Sequence, residues 1–157
     1  MTDDELAARR ITMMGTPLDL LSMAETVALA EGAMRSRQRL QQVVINVAKL
    51  VSMRANPDLQ MDVAESDVIS IDGMGVLWAA RLLGFDAKER VTGIDLMHAL
   101  IARCAHNGFK PYFLGAREDI LQKAMAKLRQ AHPGLEIAGY RNGYFSQEEE
   151  EQVVTDI

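Results

Sequence analysis

Short apolar runs alternate with longer amphipathic stretches along most of the chain. Four runs have the length and composition of buried strands, and they cover residues 43–47, 68–71, 111–114 and 135–138. A further short strand is predicted over residues 10–14 and is ended by Gly15 and Pro17. Between the runs, apolar positions recur at the spacing of one helix face. This alternation predicts an α/β fold, with a mainly parallel sheet and helices on both of its faces.

Local signals mark where several helices begin and end. Ser22 followed by Glu25 forms a capping box, which predicts the start of a helix. Residues 94–107 carry an apolar stripe at helical spacing. Gly84 and Gly108 each follow a helical stretch, and both are therefore predicted to end a helix.

The candidate chemistry is concentrated in residues 66–95. Asp72 and Gly73 come directly after a predicted strand, and Thr92 and Gly93 open the next helix. In open α/β sheets, ligands bind outside the carboxyl ends of the strands. We therefore expect these two junctions to face one crevice.

Each candidate side chain has a structural alternative. Asp72 is either a catalytic carboxylate or only a cap for the helix that follows it. Asn46, near the end of a predicted strand, either binds a ligand or makes a structural hydrogen bond to a neighbouring loop. Arg90 either pairs with a diphosphate, whose geometry suits a guanidinium, or remains a solvated surface arginine.

Two turn segments are candidates for binding a phosphate through backbone N–H groups. Thr92, Gly93 and Asp95 stand at a helix start, where the positive end of the helix dipole favours an anion. The alternative is that Thr92 or Asp95 serves only helix entry. Gly115 follows a predicted strand and allows the same kind of contact, and Arg117 adds a positive charge nearby in the sequence.

A dinucleotide-binding fingerprint is a weaker interpretation of the central region. Gly73-Met74-Gly75 matches its first two glycines, but Trp78 stands where a third glycine would allow close packing of helix on strand. Asp72, just before the turn, would repel a pyrophosphate. Trp78 and Asp72 therefore argue against an oxidoreductase of the Rossmann type.

Composition narrows the possible functions further. The 157 residues suffice for one domain with its own core. The net charge of -5 disfavours bulk binding of nucleic acid. A single cysteine excludes an intramolecular disulfide framework and fits a reducing cytoplasm. No apolar run reaches membrane-spanning length, the acidic start does not resemble a signal peptide, and the histidines lack metal-ligand spacing.

Five blocks of the sequence carry a family resemblance. They are residues 45–47, 67–76, 90–96, 112–115 and 139–145. In this order they resemble the WecG/TagA/CpsF family of bacterial glycosyltransferases, from about Arg10 to the end of the chain. The resemblance implies a Rossmann-like fold and an inverting transfer that uses no metal or other cofactor.

The resemblance also implies the substrates and the place of action. An N-acetylmannosamine-type sugar, or its uronic acid, would move from a UDP-sugar donor to N-acetylglucosamine on an undecaprenyl diphosphate lipid. The transfer would take place at the inner face of the cell membrane, with the enzyme bound there peripherally. Its product would serve cell-surface polysaccharides such as teichoic acid or enterobacterial common antigen.

The same blocks assign roles to individual residues. By resemblance Asp72 matches the general base and Arg90 matches a diphosphate ligand. The expected substrate-binding residues are Asn46, Gly73, Arg90, Thr92, Gly93, Asp95 and Gly115. Val44 departs from the family pattern, because a threonine that can hydrogen-bond is frequent there. An inactive or truncated nucleotide-sugar-binding module is therefore the alternative function.

The family pattern continues past the last block with a glycine-rich strand, a Pro-Lys-Gln-Glu segment and a membrane-binding segment. The resemblance therefore implies that residues 1–157 form the N-terminal two-thirds of a single catalytic domain. Val153, Val154 and Ile157 are apolar and need a core partner. We expect the chain alone to have little activity and to be poorly stable or to self-associate as a homo-oligomer.

Overall fold

The chain forms two compact units, one ending at Leu100 and the other running from Ile101 to Ile157. The structure is a computed structural model that describes residues 3–157. The division falls within one long helix, and each unit contains its own sheet.

The first unit is built on a four-stranded sheet. Its elements are α1 (Asp3–Ala7), β1 (Arg10–Met13), β2 (Thr16–Asp19), α2 (Met23–Ser36), β3 (Gln42–Ile45), α3 (Val47–Ala55), α4 (Pro57–Ala64), β4 (Val68–Ile71), α5 (Met74–Leu82) and the start of α6 (Gly93–Asn107). The strand order is β1-β2-β4-β3. β1 and β2 are antiparallel, whereas β4 is parallel to both β2 and β3.

The second unit contains a two-stranded parallel sheet. Its elements are the rest of α6, β5 (Tyr112–Leu114), α7 (Glu118–Ala131), β6 (Gly139–Arg141), a 3₁₀ turn (Gln147–Glu149) and α8 (Glu150–Asp156). The predicted α/β class with mainly parallel strands is confirmed, and the arrangement is consistent with a Rossmann-like fold.

β4 is the central strand of the first unit. All of its residues are buried, and it lies between β2 and β3. Ile69 and Ile71 belong to one core cluster with Ile45 of β3 and with Val76 and Leu77 of α5. A strand that is covered on both faces is mainly apolar, as β4 is apart from Ser70. The predicted position of this strand is therefore confirmed.

The predicted helix signals are also confirmed. The Ser22 hydroxyl accepts a hydrogen bond from the N–H of Glu25 at 3.3 Å, and the Glu25 carboxylate accepts the N–H of Ser22 at 2.8 Å. Gly84 and Gly108 follow α5 and α6 with φ of 88° and 74°. Such left-handed residues typically follow the end of a helix.

The hairpin of β1 and β2 differs from the prediction. We expected a strand over 10–14 followed by a stop, but β2 begins at Thr16 and includes Pro17. The chain reverses at Met14 and Gly15, whose φ values are 54° and 78°, as two-residue hairpins require. Methionine rarely adopts a positive φ, so the residue type at position 14 gives no indication of this turn. A proline usually breaks a strand because it has no N–H to donate. Pro17 is tolerated because, in the described register, β2 pairs with β4 only through its last residue, Asp19.

The last strand lies further along the chain than its apolar run suggests. The prediction of a strand over 135–138 is wrong, because β6 covers Gly139–Arg141. Leu135 is buried, so the apolar run supplies core contacts without pairing. A side chain at the first residue of β6 would come within 2.6 Å of the Tyr112 ring, and glycine is therefore needed for the strand to approach β5.

Candidate active site at the ends of β3 and β4

The carboxyl ends of β3 and β4 lie level at one edge of the sheet. Ile45 is paired with Ile71, and the N–H of Asp72 donates to the Ile45 carbonyl at 2.9 Å. The N–H of Val91 donates to the Ile71 carbonyl at 2.6 Å. The segments that lead into α3, α5 and α6 therefore meet at this edge.

Asp72 is a half-buried residue at this edge. Within the part of the chain that the structure describes, its carboxylate makes no hydrogen bond or ion pair. Helix α5 begins at Met74, its N-cap is Gly73, and no side chain caps it. Asp72 therefore does not serve as the helix cap, which was its structural alternative. An ionisable acceptor is left free where ligands bind in α/β sheets.

Asn46 caps helix α3. The strand β3 ends earlier than predicted, at Ile45, because Asn46 takes the N-cap position and α3 begins at Val47. The Oδ1 atom of Asn46 accepts the N–H of Lys49 at 2.9 Å, which is a structural role. The side-chain Nδ2 group has no acceptor among residues 3–157. Asn46 can therefore hold the helix start and also donate a hydrogen bond to a ligand.

Gly73 allows the starts of α3 and α5 to approach each other. A Cβ atom at this position would lie 3.2 Å from the Cβ and 3.4 Å from the Cα of Asn46. The φ of Gly73 is -92°, so the glycine is needed for space and not for an unusual backbone conformation. A side chain here would push the segments of Asp72 and Asn46 apart.

Thr92 and Asp95 hold the start of α6. The N–H of Asp95 donates to Thr92 Oγ1 at 3.1 Å, and the Thr92 hydroxyl donates to Asp95 Oδ2 at 2.6 Å. Their alternative role in helix entry is therefore observed. Beside them, Gly93 faces the two methyl groups of Val44, which would lie 3.8 and 3.9 Å from an added Cβ. Val44 thus presents hydrocarbon where a threonine hydroxyl was expected.

Helix α5 leaves its first N–H groups free. The starts of α3 and α6 each have a side-chain acceptor, whereas α5 has none. In the described part of the chain, the N–H groups of Met74 and Gly75 have no acceptor. A helix start carries partial positive charge, so this position can bind an anion such as a phosphate group.

Arg90 is a positively charged residue that is close in sequence to this edge of the sheet. It is exposed and directly precedes Val91, which is bonded to the end of β4. Among the described residues, its guanidinium has no ion-pair partner. It is therefore available for a phosphate group.

Gly115 lies in the second unit, and its N–H group is occupied. It donates to the Arg141 carbonyl at 3.0 Å, and the φ of Gly115 is 137°. A Cβ at Gly143 would lie 3.0 Å from the Cα of Gly115, so two glycines pack closely here. Arg117, which was expected to add a charge, pairs with Asp119 at 3.1 Å. The N–H contact that we expected from Gly115 is therefore used within the unit.

The sequence interpretation missed the free N–H groups of Met74 and Gly75 as candidate ligands. The sequence interpretation treats the Gly-Met-Gly pattern as part of a dinucleotide fingerprint and assigns only Gly73 of these three residues to substrate binding. The usable signal was the residue at the N-cap position, Gly73, which has no side-chain acceptor to offer to the helix.

Comparison with known proteins identifies a family and related sequences. Residues 11–157 match a family model described as the glycosyl transferase WecG/TagA/CpsF family. A protein of Bacillus spizizenii (strain ATCC 23059 / NRRL B-14472 / W23), named N-acetylglucosaminyldiphosphoundecaprenol N-acetyl-beta-D-mannosaminyltransferase, is 30% identical over 95 residues. The match covers 60% of this chain but 37% of that relative, so the chain matches well under half of the relative's length.

Two further findings concern the described residues. No helix within residues 3–157 is both long enough and apolar enough to cross a membrane. The same part of the chain contains no group of three or more His, Cys, Asp or Glu side chains placed to hold a metal ion.

Proposed function

Because the chain belongs to the WecG/TagA/CpsF family of glycosyl transferases, we propose that its first unit carries the catalytic edge of a sugar transferase. The sugar is of the N-acetylmannosamine type, and the acceptor is N-acetylglucosamine on undecaprenyl diphosphate. Both assignments are taken from the name of the Bacillus relative. The UDP-sugar donor is taken from the family resemblance, and the free N–H groups at the start of α5 together with Arg90 would suit its diphosphate.

The observation that carries the proposal is the free Asp72 carboxylate beside the uncapped start of α5. A transferase of this kind needs a base for the acceptor hydroxyl and an electropositive site for the leaving diphosphate. Asp72 supplies the base. The N–H groups of Met74 and Gly75, together with the Arg90 guanidinium, supply the electropositive site.

The proposed reaction is a single displacement. The acceptor hydroxyl oxygen attacks the anomeric carbon of the donor while Asp72 takes the hydroxyl proton. The bond between the anomeric carbon and the phosphate oxygen breaks, and UDP leaves with the bonding electron pair. The negative charge that develops on UDP is stabilised by the start of α5 and by Arg90. Attack on the face opposite the leaving group inverts the anomeric configuration.

The remaining residues of this edge position the substrates. Asn46 offers its Nδ2 group to the donor, while Thr92 and Asp95 keep the start of α6 in place. The acceptor is a membrane lipid and the donor a cytoplasmic nucleotide sugar, so we place the reaction at the inner membrane face. The chain would contribute the Asp72 edge to a single catalytic domain.

The direct test is the substitution Asp72→Asn in the purified protein. We expect turnover to fall by about 10²–10⁴-fold, the usual contribution of a general base. UDP binding, measured by calorimetry, and the thermal midpoint should stay nearly unchanged, because Asp72 caps no helix. Asp86→Asn is the matched control, since Asp86 is an exposed aspartate in the connection between α5 and α6. Wild-type turnover in the Asp72 variant would refute the assignment.

A nucleotide-sugar-binding module without transferase activity is the second candidate, and Val44 favours it. Its side chain lies beside Gly93 and offers no hydrogen bond to a donor. The two candidates differ in one measurement on the wild-type protein. Binding of the UDP-sugar without release of UDP in the presence of the lipid-linked acceptor would support the binding module.

A further inference from the structure

The starts of α3 and α5 touch at a second point beyond Gly73. A Cβ atom built on Gly75 would lie 2.9 Å from the Cγ2 methyl of Val47. Real Cβ atoms essentially never approach another atom within 3.0 Å, and ordinary contact begins at 3.4 Å. A side chain at position 75 would therefore need a movement of 0.5 Å to reach ordinary contact, the difference between 3.4 and 2.9 Å.

This contact is next to both candidate site side chains. Val47 directly follows Asn46, and Gly75 is the second residue of the helix that begins just after Asp72 and Gly73. We propose that Gly75 is a positioning residue: its missing side chain lets α5 pack against Val47, and this packing sets the spacing between the Asp72 carboxylate and the Asn46 amide. The inference rests on the proposed function.

Neither partner of the contact can yield without consequence. Val47 is β-branched with one side-chain torsion, so its Cγ2 methyl cannot shift by a small amount without leaving a staggered position. On the other side, Val76 and Leu77 of α5 are buried in the main core cluster. Strain at position 75 is therefore expected to move the start of α5, together with the Asp72 segment that leads into it, relative to the start of α3.

Helix propensity gives an independent argument that the glycine at position 75 is retained for space. Glycine disfavours a helix, and Gly75 has no positive φ that would require it. Gly32 in α2 is also a helical glycine, but a Cβ there would meet nothing within 4 Å. Gly32→Ala therefore serves as a control for adding a methyl group to a helical glycine without this collision.

The experiment compares the wild-type protein with Gly75→Ala, Val47→Ala, the double variant and Gly32→Ala. We expect Gly75→Ala to lower the single-turnover transfer rate about tenfold or more, since small displacements at a site are costly. The double variant should recover to within about twofold of Val47→Ala, because the colliding methyl is gone. Gly32→Ala and Val47→Ala should transfer at close to the wild-type rate. Thermal midpoints should not fall in parallel with the rates.

A second readout does not depend on transfer. The side-chain amide resonance of Asn46 in ¹H–¹⁵N spectra should shift in Gly75→Ala and return in the double variant. If all proteins lack transfer but this resonance responds as described, the spacing role stands and the proposed function fails. An unshifted Asn46 resonance, a wild-type rate in Gly75→Ala, or a double variant as slow as Gly75→Ala would overturn the inference.

Discussion

The substitution Asp19→Ala should strongly destabilise the first unit. Asp19 is the last residue of β2, and its side chain is 0% exposed. It accepts hydrogen bonds from Nε and Nη2 of Arg10, both at 2.8 Å, and from the N–H of Ile69 at 2.7 Å. One carboxylate therefore joins β1, β2 and β4, and the bond to Asp19 raises the pKa of Arg10.

The expected cost follows from what the substitution leaves unpaired. The N–H of Ile69 is buried and would lose its acceptor, which costs about 1–3 kcal/mol. Arg10 would also lose its partner. Its side chain is 32% exposed, so water can replace part of this interaction, and the loss is smaller than for a fully buried ion pair. We expect Asp19→Ala to lower the unfolding free energy by about 3 kcal/mol. Asp19→Asn keeps one acceptor oxygen and should cost about 1–2 kcal/mol.

Urea unfolding followed by far-ultraviolet circular dichroism measures both changes. Glu136→Gln is the control, because it breaks the exposed ion pair of Glu136 with Lys110 at 2.6 Å. Exposed pairs contribute little, so this variant should unfold close to the wild type. Wild-type stability in Asp19→Ala, or equal losses in Asp19→Ala and Glu136→Gln, would refute the reasoning.

The starts of α3 and α2 provide the remaining tests. Asn46→Ala should cost about 1 kcal/mol of stability, whereas Asn46→Asp keeps the cap but should weaken UDP-sugar binding by adding a negative charge. Melting and calorimetry would check this, and unchanged affinity in Asn46→Asp would contradict it. Hydrogen bonds from Ser22 lower the pKa of Glu25 below its ordinary value of 4.5. The carboxylate therefore stabilises the fold above that pH, and this contribution is lost as pH falls through the lowered value. Glu25→Gln should weaken the acid dependence of the thermal midpoint; an unchanged dependence would exclude this role.

The predictable parts of the fold are those fixed by local pattern. α7 could be predicted because Leu121 and Met125 repeat at helical spacing, and both are buried. The positions of β2 and β6 could not be predicted, because each strand depends on a structural feature that the local sequence does not indicate. β2 requires a left-handed Met14, and β6 requires a glycine that fits against the ring of Tyr112.

The candidate site divides in a similar way. Asp72 and Asn46 could be placed at one edge because both follow parallel strands that end level. Whether each side chain caps its helix could not be predicted, since aspartate and asparagine are both good caps. The contact between Gly75 and Val47 is set by how closely two helices approach. Such a distance depends on packing across the unit, which no motif specifies.

The Asp72 carboxylate and the free N–H groups at the start of α5 favour ligands of opposite charge. The proposed reaction requires both groups. Asp72 repels a diphosphate, whereas the start of α5 attracts one. In an inverting displacement the base and the leaving phosphate lie on opposite faces of the anomeric carbon. The sugar ring then separates the two negative charges, so removing the Asp72 charge should change UDP affinity little. A large gain in UDP affinity in Asp72→Asn would instead place the diphosphate beside the carboxylate, and Asp72 would then be badly placed to act as the base.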